Sequence, residues 1–168
     1  DVPSFREQVI AVLNPEEIKC LRNAAESPEF RDCAPAVWIM MYAGIRPGEV
    51  ARLRWRDVDL EERVISVRPL ASKTGGARHV TVQPVLERLL TGYGIPEGNR
   101  ILCPSNWLLR WRQLRKKAWW GSGGRFGAWR PDVLRHTYAS FHAKWFRDFP
   151  LLQMEMGHRS SALLRARY

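Results

Sequence analysis

The last forty residues, WRPDVLRHTYASFHAKWFRDFPLLQMEMGHRSSALLRARY, run from Trp129 to Tyr168. Pro131 is suited to the first turn of a helix. Leu134, Tyr138, Phe141 and Trp145 follow an i, i+4, i+7, i+11 pattern, which predicts a stripe facing the core. Asp132, Arg135 and His136 fall on a different side of the same helix. Pro150 begins a second, short helix over LLQMEM, and Gly157 is a natural stop for it. His158 follows directly. Ser160 can cap a last segment that carries Tyr168. An arginine fork can hold a phosphate, an imidazole can share a proton, and a phenolate can become covalently attached. Those three side-chain types are a kit for attacking a phosphodiester.

Upstream, Ser105 or Asn106 can cap a helix reaching to about Trp119. Trp107, Leu108, Trp111 and Leu114 form its apolar stripe. Arg110, Arg112, Arg115, Lys116 and Lys117 make it strongly basic and are candidates for contact with phosphates. The aromatic stripe reads as core rather than as a base-stacking platform. GSGGRFG, residues 121–127, lacks the Lys-Ser/Thr ending of a P-loop and reads as a flexible loop.

Near the start, Asn14-Pro15-Glu16-Glu17 combines a cap, a first-turn proline and acids at the positive end of the helix dipole. That helix reaches about Ser27. Pro35 opens a second helix, AVWIMMYA, apolar enough to be buried, and Gly44 ends it. Pro47 starts another within GIRPGEVARLRWRDVDL, with Arg46 at its entrance and Glu49 three positions on, close enough to share one side of a turn. Residues 58–60 and 63–68 read as short strands, and 79–82 as a strand returning after a turn at Thr74, Gly75 and Gly76. Lys73 sits just before that turn. Locally it is a solvated charge that discourages aggregation, or an ammonium that reaches into a DNA groove. Residues 84–93 form a helix with Val85, Leu86, Leu89 and Leu90 inward.

The 168 residues suit one domain, and 45% hydrophobic residues mark a globular chain. Lys and Arg number 27 against 17 Asp and Glu, a net charge of +10 that favours a polyanionic partner such as nucleic acid through counterion release. No apolar run reaches the ~18 residues of a membrane helix, and no signal-peptide pattern opens the chain, so a cytoplasmic protein is expected. Its first residue is Asp1 rather than Met, as in a fragment of a longer protein. Cys20, Cys33 and Cys103 are scattered and offer no Cys-x-x-Cys pair, so buried free thiols are expected.

Four blocks, GIRPGEVARLRWRDVD, SKTGGARHVTV, LRHTYAS and MGHRSS followed by a tyrosine, resemble in order and spacing the catalytic domain of the tyrosine recombinases, the phage-integrase family. The resemblance runs from about residue 36 to the end. It implies a mainly helical fold with a small antiparallel sheet, here one catalytic domain over residues 1–168, without the family's N-terminal DNA-binding domain or its C-terminal tail. It implies that Arg46 and Arg135 are the two catalytic arginines and that Glu49 supports the first. It further implies that Lys73 is the general acid, His158 the second histidine and Tyr168 the nucleophile. The partner implied is double-stranded DNA, bound as a homotetramer by the full-length protein. The reaction implied passes through a 3′-phosphotyrosyl link and needs neither cofactor nor metal.

Two positions depart from the family pattern. Where the family has a histidine three residues before the second arginine, this chain has Asp132. The interval from His158 to Tyr168 is one residue longer than the family's, and one residue turns a helical side chain by about 100°. Two further readings therefore stand beside the active recombinase. One is a relative that binds DNA but cleaves it poorly. The other is a metal-dependent nuclease using Asp132, His136 and His158, although no His-Glu-x-x-His motif supports it. A type IB topoisomerase would share the tyrosine chemistry. Tyr138 is the less favoured nucleophile, because it falls on the core stripe.

Overall fold

The computed structural model describes residues 10–69 and 77–157. Helix α1, Pro15–Glu26, begins with the expected cap, now seen as a reciprocal box. The Asn14 side chain accepts from the Glu17 amide at 2.9 Å, and the Glu17 carboxylate accepts from the Asn14 amide at 2.9 Å. A 3₁₀ stretch, Pro28–Cys33, leads into α2, Ala34–Ala43. Apolar on every side, α2 is the central post of the fold and packs against α1, α4 and α6. Gly44 closes it at φ 62°, a left-handed conformation that glycine adopts without strain. Helix α3, Pro47–Val50, follows directly, and a 3₁₀ turn at Trp55–Asp57 precedes the sheet.

The sheet is a three-stranded antiparallel meander of β1, Val58–Asp59, β2, Val64–Val67, and β3, Arg78–Thr81. Its register pairs Val58 with Ile65, Ile65 with Val80, and Val67 with Arg78. The helices that follow are α4, Pro84–Tyr93, α5, Trp107–Lys117, α6, Val133–Phe146, and α7, Phe149–Met156. This is the mainly helical architecture with a small antiparallel sheet that the sequence implies. Among the described residues no helix is long and apolar enough to cross a membrane.

Several local expectations need correction. In α6 Leu134 and Tyr138 are buried, but Phe141 is 43% exposed and Trp145 72%. The inward row is instead Arg135, Tyr138, Ala139 and His142, because the helix packs on both α2 and α7 and its far end runs past them. The helix also begins two residues after Pro131, since Asp132 is left-handed at φ 56°. In α5 Leu108 is 76% exposed, and the inward row is Trp107, Trp111 and Leu114. In α4 only Leu86 and Leu90 are fully buried. Residues 121–127 are held by backbone hydrogen bonds rather than open. The Gly121 amide donates to Gly127 O at 2.7 Å and the Phe126 amide to Trp119 O at 3.0 Å. That loop lays Phe126 on Trp120, in an aromatic cluster with Trp129, Trp111 and Trp107.

Candidate active site

Two buried arginines organise the candidate site. Arg135, on the first turns of α6, is 4% exposed. Its Nη1 donates to the Gly44 carbonyl at 2.8 Å, and its Nη2 donates to the Met156 carbonyl. One guanidinium thus joins the end of α2, the start of α6 and the end of α7. Both carbonyls are neutral acceptors for its N–H groups. Gly157 terminates α7 at φ 61°, and His158 is the next residue in the chain.

Arg78, on β3, is the second. Its Nη1 and Nη2 meet the two carboxylate oxygens of Glu49 at 2.9 and 2.6 Å, a bidentate fork. Its Nε donates to the Glu155 carbonyl at 2.7 Å. Glu49 is buried at the third position of α3 and also accepts from the Arg46 backbone amide at 3.1 Å. Arg46 Nη1 reaches the same carboxylate at 3.4 Å. Burial pushes the Glu49 carboxyl up, but the hydrogen bonds and charge of Arg78, with Arg46, outweigh it and hold the group below its ordinary value. Arg46 keeps 20% of its side chain exposed, so it remains open to a ligand while its base is tied to Glu49.

A third buried contact braces the same region. Tyr138 Oη donates to Glu155 Oε2 at 2.9 Å, and the Thr81 amide donates to Glu155 Oε1 at 3.0 Å. Burial first, and the Glu155 carboxyl second, raise the Tyr138 pKa. A phenol so placed resists becoming a nucleophile. His142, one turn further along α6, is held below its ordinary pKa by burial, against the opposing pull of Glu155 and Asp148.

Arg46, Glu49 and Arg135 therefore lie on segments joined by hydrogen bonds, although Gly44 and Arg135 are 91 positions apart. Asp132 is exposed, and its side chain makes no cap hydrogen bond to α6. Lys73, His158 and Tyr168 lie outside the described residues. Among the described residues no group of three His, Cys, Asp or Glu side chains is arranged to hold a metal ion, and the nuclease reading's His158 lies outside them.

The basic helix divides. Arg110 pairs with Asp32, donates to the Glu29 carbonyl at 2.6 Å and lies over Phe30. Lys117 pairs with Glu29 at 2.6 Å. Arg115 lies over the Trp111 and Trp129 rings at 5.1 and 5.2 Å. Arg110 and Arg115 are thereby held against the rest of the fold, Lys117 makes its ion pair at an exposed position, and Arg112 and Lys116 are exposed. Burial raises the thiols of Cys33 and Cys103 to about 11 and about 12, so both remain protonated at neutral pH.

Arg78 and Glu155 were not evident from the sequence. The strand reading began at His79, one residue late. The signal is the period of β3: Arg78 and Val80 point inward while His79 and Thr81 point out. A charged residue on the inward face of a strand demands a buried partner.

No curated protein sequence matches the chain significantly. Solved structures do. The crystal structure of XerA recombinase is 30% identical with a TM-score of 0.72, over 94% of this chain and 59% of that one. The catalytic domain of bacteriophage HP1 integrase is 20% identical with a TM-score of 0.67, over 92% of this chain and 84% of that one. XerH site-specific recombinase bound to its difH substrate is 18% identical with a TM-score of 0.69, over 95% of this chain and 50% of that one. The chain thus spans well under two thirds of the XerA and XerH chains it matches. The family model for the phage integrase family matches residues 11–168, and the chain belongs to that family.

Proposed function

We propose that this chain is the catalytic domain of a site-specific tyrosine recombinase that cleaves and rejoins duplex DNA through Tyr168. The observation that carries this reading is the Arg135 guanidinium, which draws together Gly44, two residues before Arg46, and Met156, two residues before His158. Three sequence blocks thereby meet at one guanidinium.

In the reaction, the Tyr168 phenol gives up its proton, to Asp132 or directly to water, and its oxygen attacks a DNA phosphorus. An O–P bond forms to the 3′ side and the bond to the 5′ oxygen breaks. Lys73 gives that leaving oxygen its proton. Arg46 and Arg135 offer forked donors to the non-bridging oxygens, whose charge grows in the transition state. His158 adds a hydrogen bond there. Glu49 orients Arg46 and transfers no proton, in keeping with a carboxyl held in its ionised form by Arg78. A second 5′ hydroxyl then displaces the tyrosine. The phosphodiester bond energy is kept in the covalent link, so no nucleotide cofactor is consumed. The full-length protein performs this on DNA as a homotetramer.

The reading of a DNA-binding relative that cleaves poorly draws on Asp132, a carboxylate where the family has an imidazole. One assay separates the readings. Full-length protein is incubated with a nicked suicide substrate bearing the ends of its own element, with and without EDTA. An adduct mapped to Tyr168 and indifferent to EDTA supports the recombinase. DNA binding without adduct supports the impaired relative, and cleavage abolished by EDTA supports the nuclease.

A further inference from the structure

We propose that Arg78 is a positioning residue for the phosphate-binding arginine Arg46, acting through Glu49; this rests on the recombinase reading above. All three guanidinium nitrogens of Arg78 are engaged, the terminal two by the Glu49 carboxylate and Nε by the Glu155 carbonyl, so its fork serves Glu49 rather than a substrate. Its two terminal nitrogens occupy both oxygens of Glu49. Those same oxygens receive the Arg46 amide and its guanidinium. A carboxylate accepting from one arginine alone could rotate about its last bond. Forked from the opposite side, it is fixed in plane, and it then fixes where the Arg46 side chain starts.

The other end of the clamp holds the site's far wall. The Arg78 Nε–Glu155 carbonyl bond fixes the last turn of α7. A Cβ built on Gly157 would stand 3.3 Å from Arg78 Cδ and 3.5 Å from its Nε, so that glycine lies directly against the Arg78 side chain. Arg78 and Arg135 are therefore paired braces across the same two segments. Arg78 ties Glu49 to Glu155, and Arg135 ties Gly44 to Met156. Lysine at position 78 would keep the charge but lose both the fork and the Nε bond.

The test uses full-length protein and suicide substrates with either an oxygen or a sulfur atom at the scissile 5′ position. A sulfur leaving group departs as thiolate and needs no proton, so it bypasses Lys73 and leaves phosphate stabilisation as the demand. Arg78→Lys is expected to slow adduct formation about 10–100-fold, the scale of an ångström-sized misplacement. The loss should be the same on both substrates, with DNA affinity within about twofold of wild type. Lys73→Ala should be rescued by sulfur. The double variant Arg78→Lys with Glu49→Gln should be no slower than the slower single, because both break one clamp. A wild-type rate in Arg78→Lys overturns the proposal, as does rescue by sulfur or a loss no larger than the fall in folded fraction by thermal melt. Should Arg78→Lys fail to fold, Glu49→Gln alone decides, with the same slowing on both substrates expected and an unchanged rate overturning the link. Wild-type protein forming no Tyr168 adduct removes the recombinase reading and this inference together. An adduct in wild type with an equal rate in the variants removes the inference alone.

Discussion

Arg135 donates through Nη1 to the carbonyl of Gly44 at 2.8 Å, across 91 residues of chain, inside the fold. Because this bond and its companion to Met156 are buried, removing the donor strands two backbone carbonyls. Arg135→Ala should therefore cost about 1–3 kcal/mol for each carbonyl left without a partner. Arg135→Lys can reach at most one of them well and should recover only part of that stability. Thermal or urea melts of the two variants measure it. Equal stability of Ala, Lys and wild type would contradict the bracing role.

Gly44 is constrained twice. Its φ of 62° disfavours any other residue, and an added Cβ would come within 2.3 Å of the Tyr138 ring. Gly44→Ala should lose about 1–2 kcal/mol to backbone strain and about as much again to overpacking. The Tyr138→Leu background removes the ring and should return the packing part only. A melt of the double variant no higher than additivity predicts would show that the two residues do not compete for space.

The elements were legible because their punctuation is local. Asn14, Pro15, Gly44, Pro47, Pro84 and Gly157 each mark a boundary by their own backbone chemistry. The faces of α6 were less legible. Phe141 and Trp145 look like core by period, but period tells which residues share a side, not where along the helix the neighbours stop. Arg46, Glu49 and Arg135 could be singled out as types within motifs. Their bracing by Arg78 and Glu155 could not, because it links β3 to α3 and α7 across 29 and 77 residues. In helix α5 the charge run marks candidates for phosphate contact, and the run alone does not show that Arg110 and Lys117 also pair with Asp32 and Glu29.

That division gives a prediction for DNA binding. Each lysine or arginine that neutralises a phosphate contributes about 0.9 to the slope of log affinity against log salt. If α5 meets DNA, Arg112→Ala and Lys116→Ala should each lower the slope by about that amount with little change in melting temperature. Arg110→Ala and Lys117→Ala should leave the slope nearly unchanged. Fluorescence titration of the full-length protein at several salt concentrations reads it, and an unchanged slope in all four variants removes α5 from the interface.

Acid should destabilise the protein in two stages. His142 has a folded pKa below its ordinary 6.5, because burial disfavours the imidazolium. Its contribution is present above 6.5 and is lost as pH falls through the lower folded value. Glu49 has a folded pKa below its ordinary 4.5, so its contribution is present above 4.5 and fades as pH drops further. His142→Phe should flatten the upper stage and Glu49→Gln the lower one. Melting temperatures between pH 7 and pH 3 distinguish them, and a variant whose curve parallels wild type in its own window would refute that assignment.

By its resemblance to the family pattern Asp132 replaces a histidine, and its backbone accommodates either residue. At φ 56° and ψ 10° it occupies the left-handed region just before α6. Asparagine, aspartate and histidine are the non-glycine residues enriched there. The position therefore selects by backbone before it selects by chemistry. Asp132→Ala should lose stability of order 1 kcal/mol, because alanine is strained in this conformation, while Asp132→Asn and Asp132→His should melt close to wild type. That makes Asp132→Asn the cleaner probe of proton transfer, since it changes the chemistry and keeps the fold. A carboxylate is by its chemistry a weaker base toward a phenol than an imidazole is. Asp132→Asn should accordingly slow adduct formation by full-length protein about tenfold or less, and Asp132→His should match or exceed the wild-type rate near neutral pH, where imidazole works best as a base. A hundredfold loss in Asp132→Asn at an unchanged melting temperature would instead give the carboxylate an essential part in the chemistry.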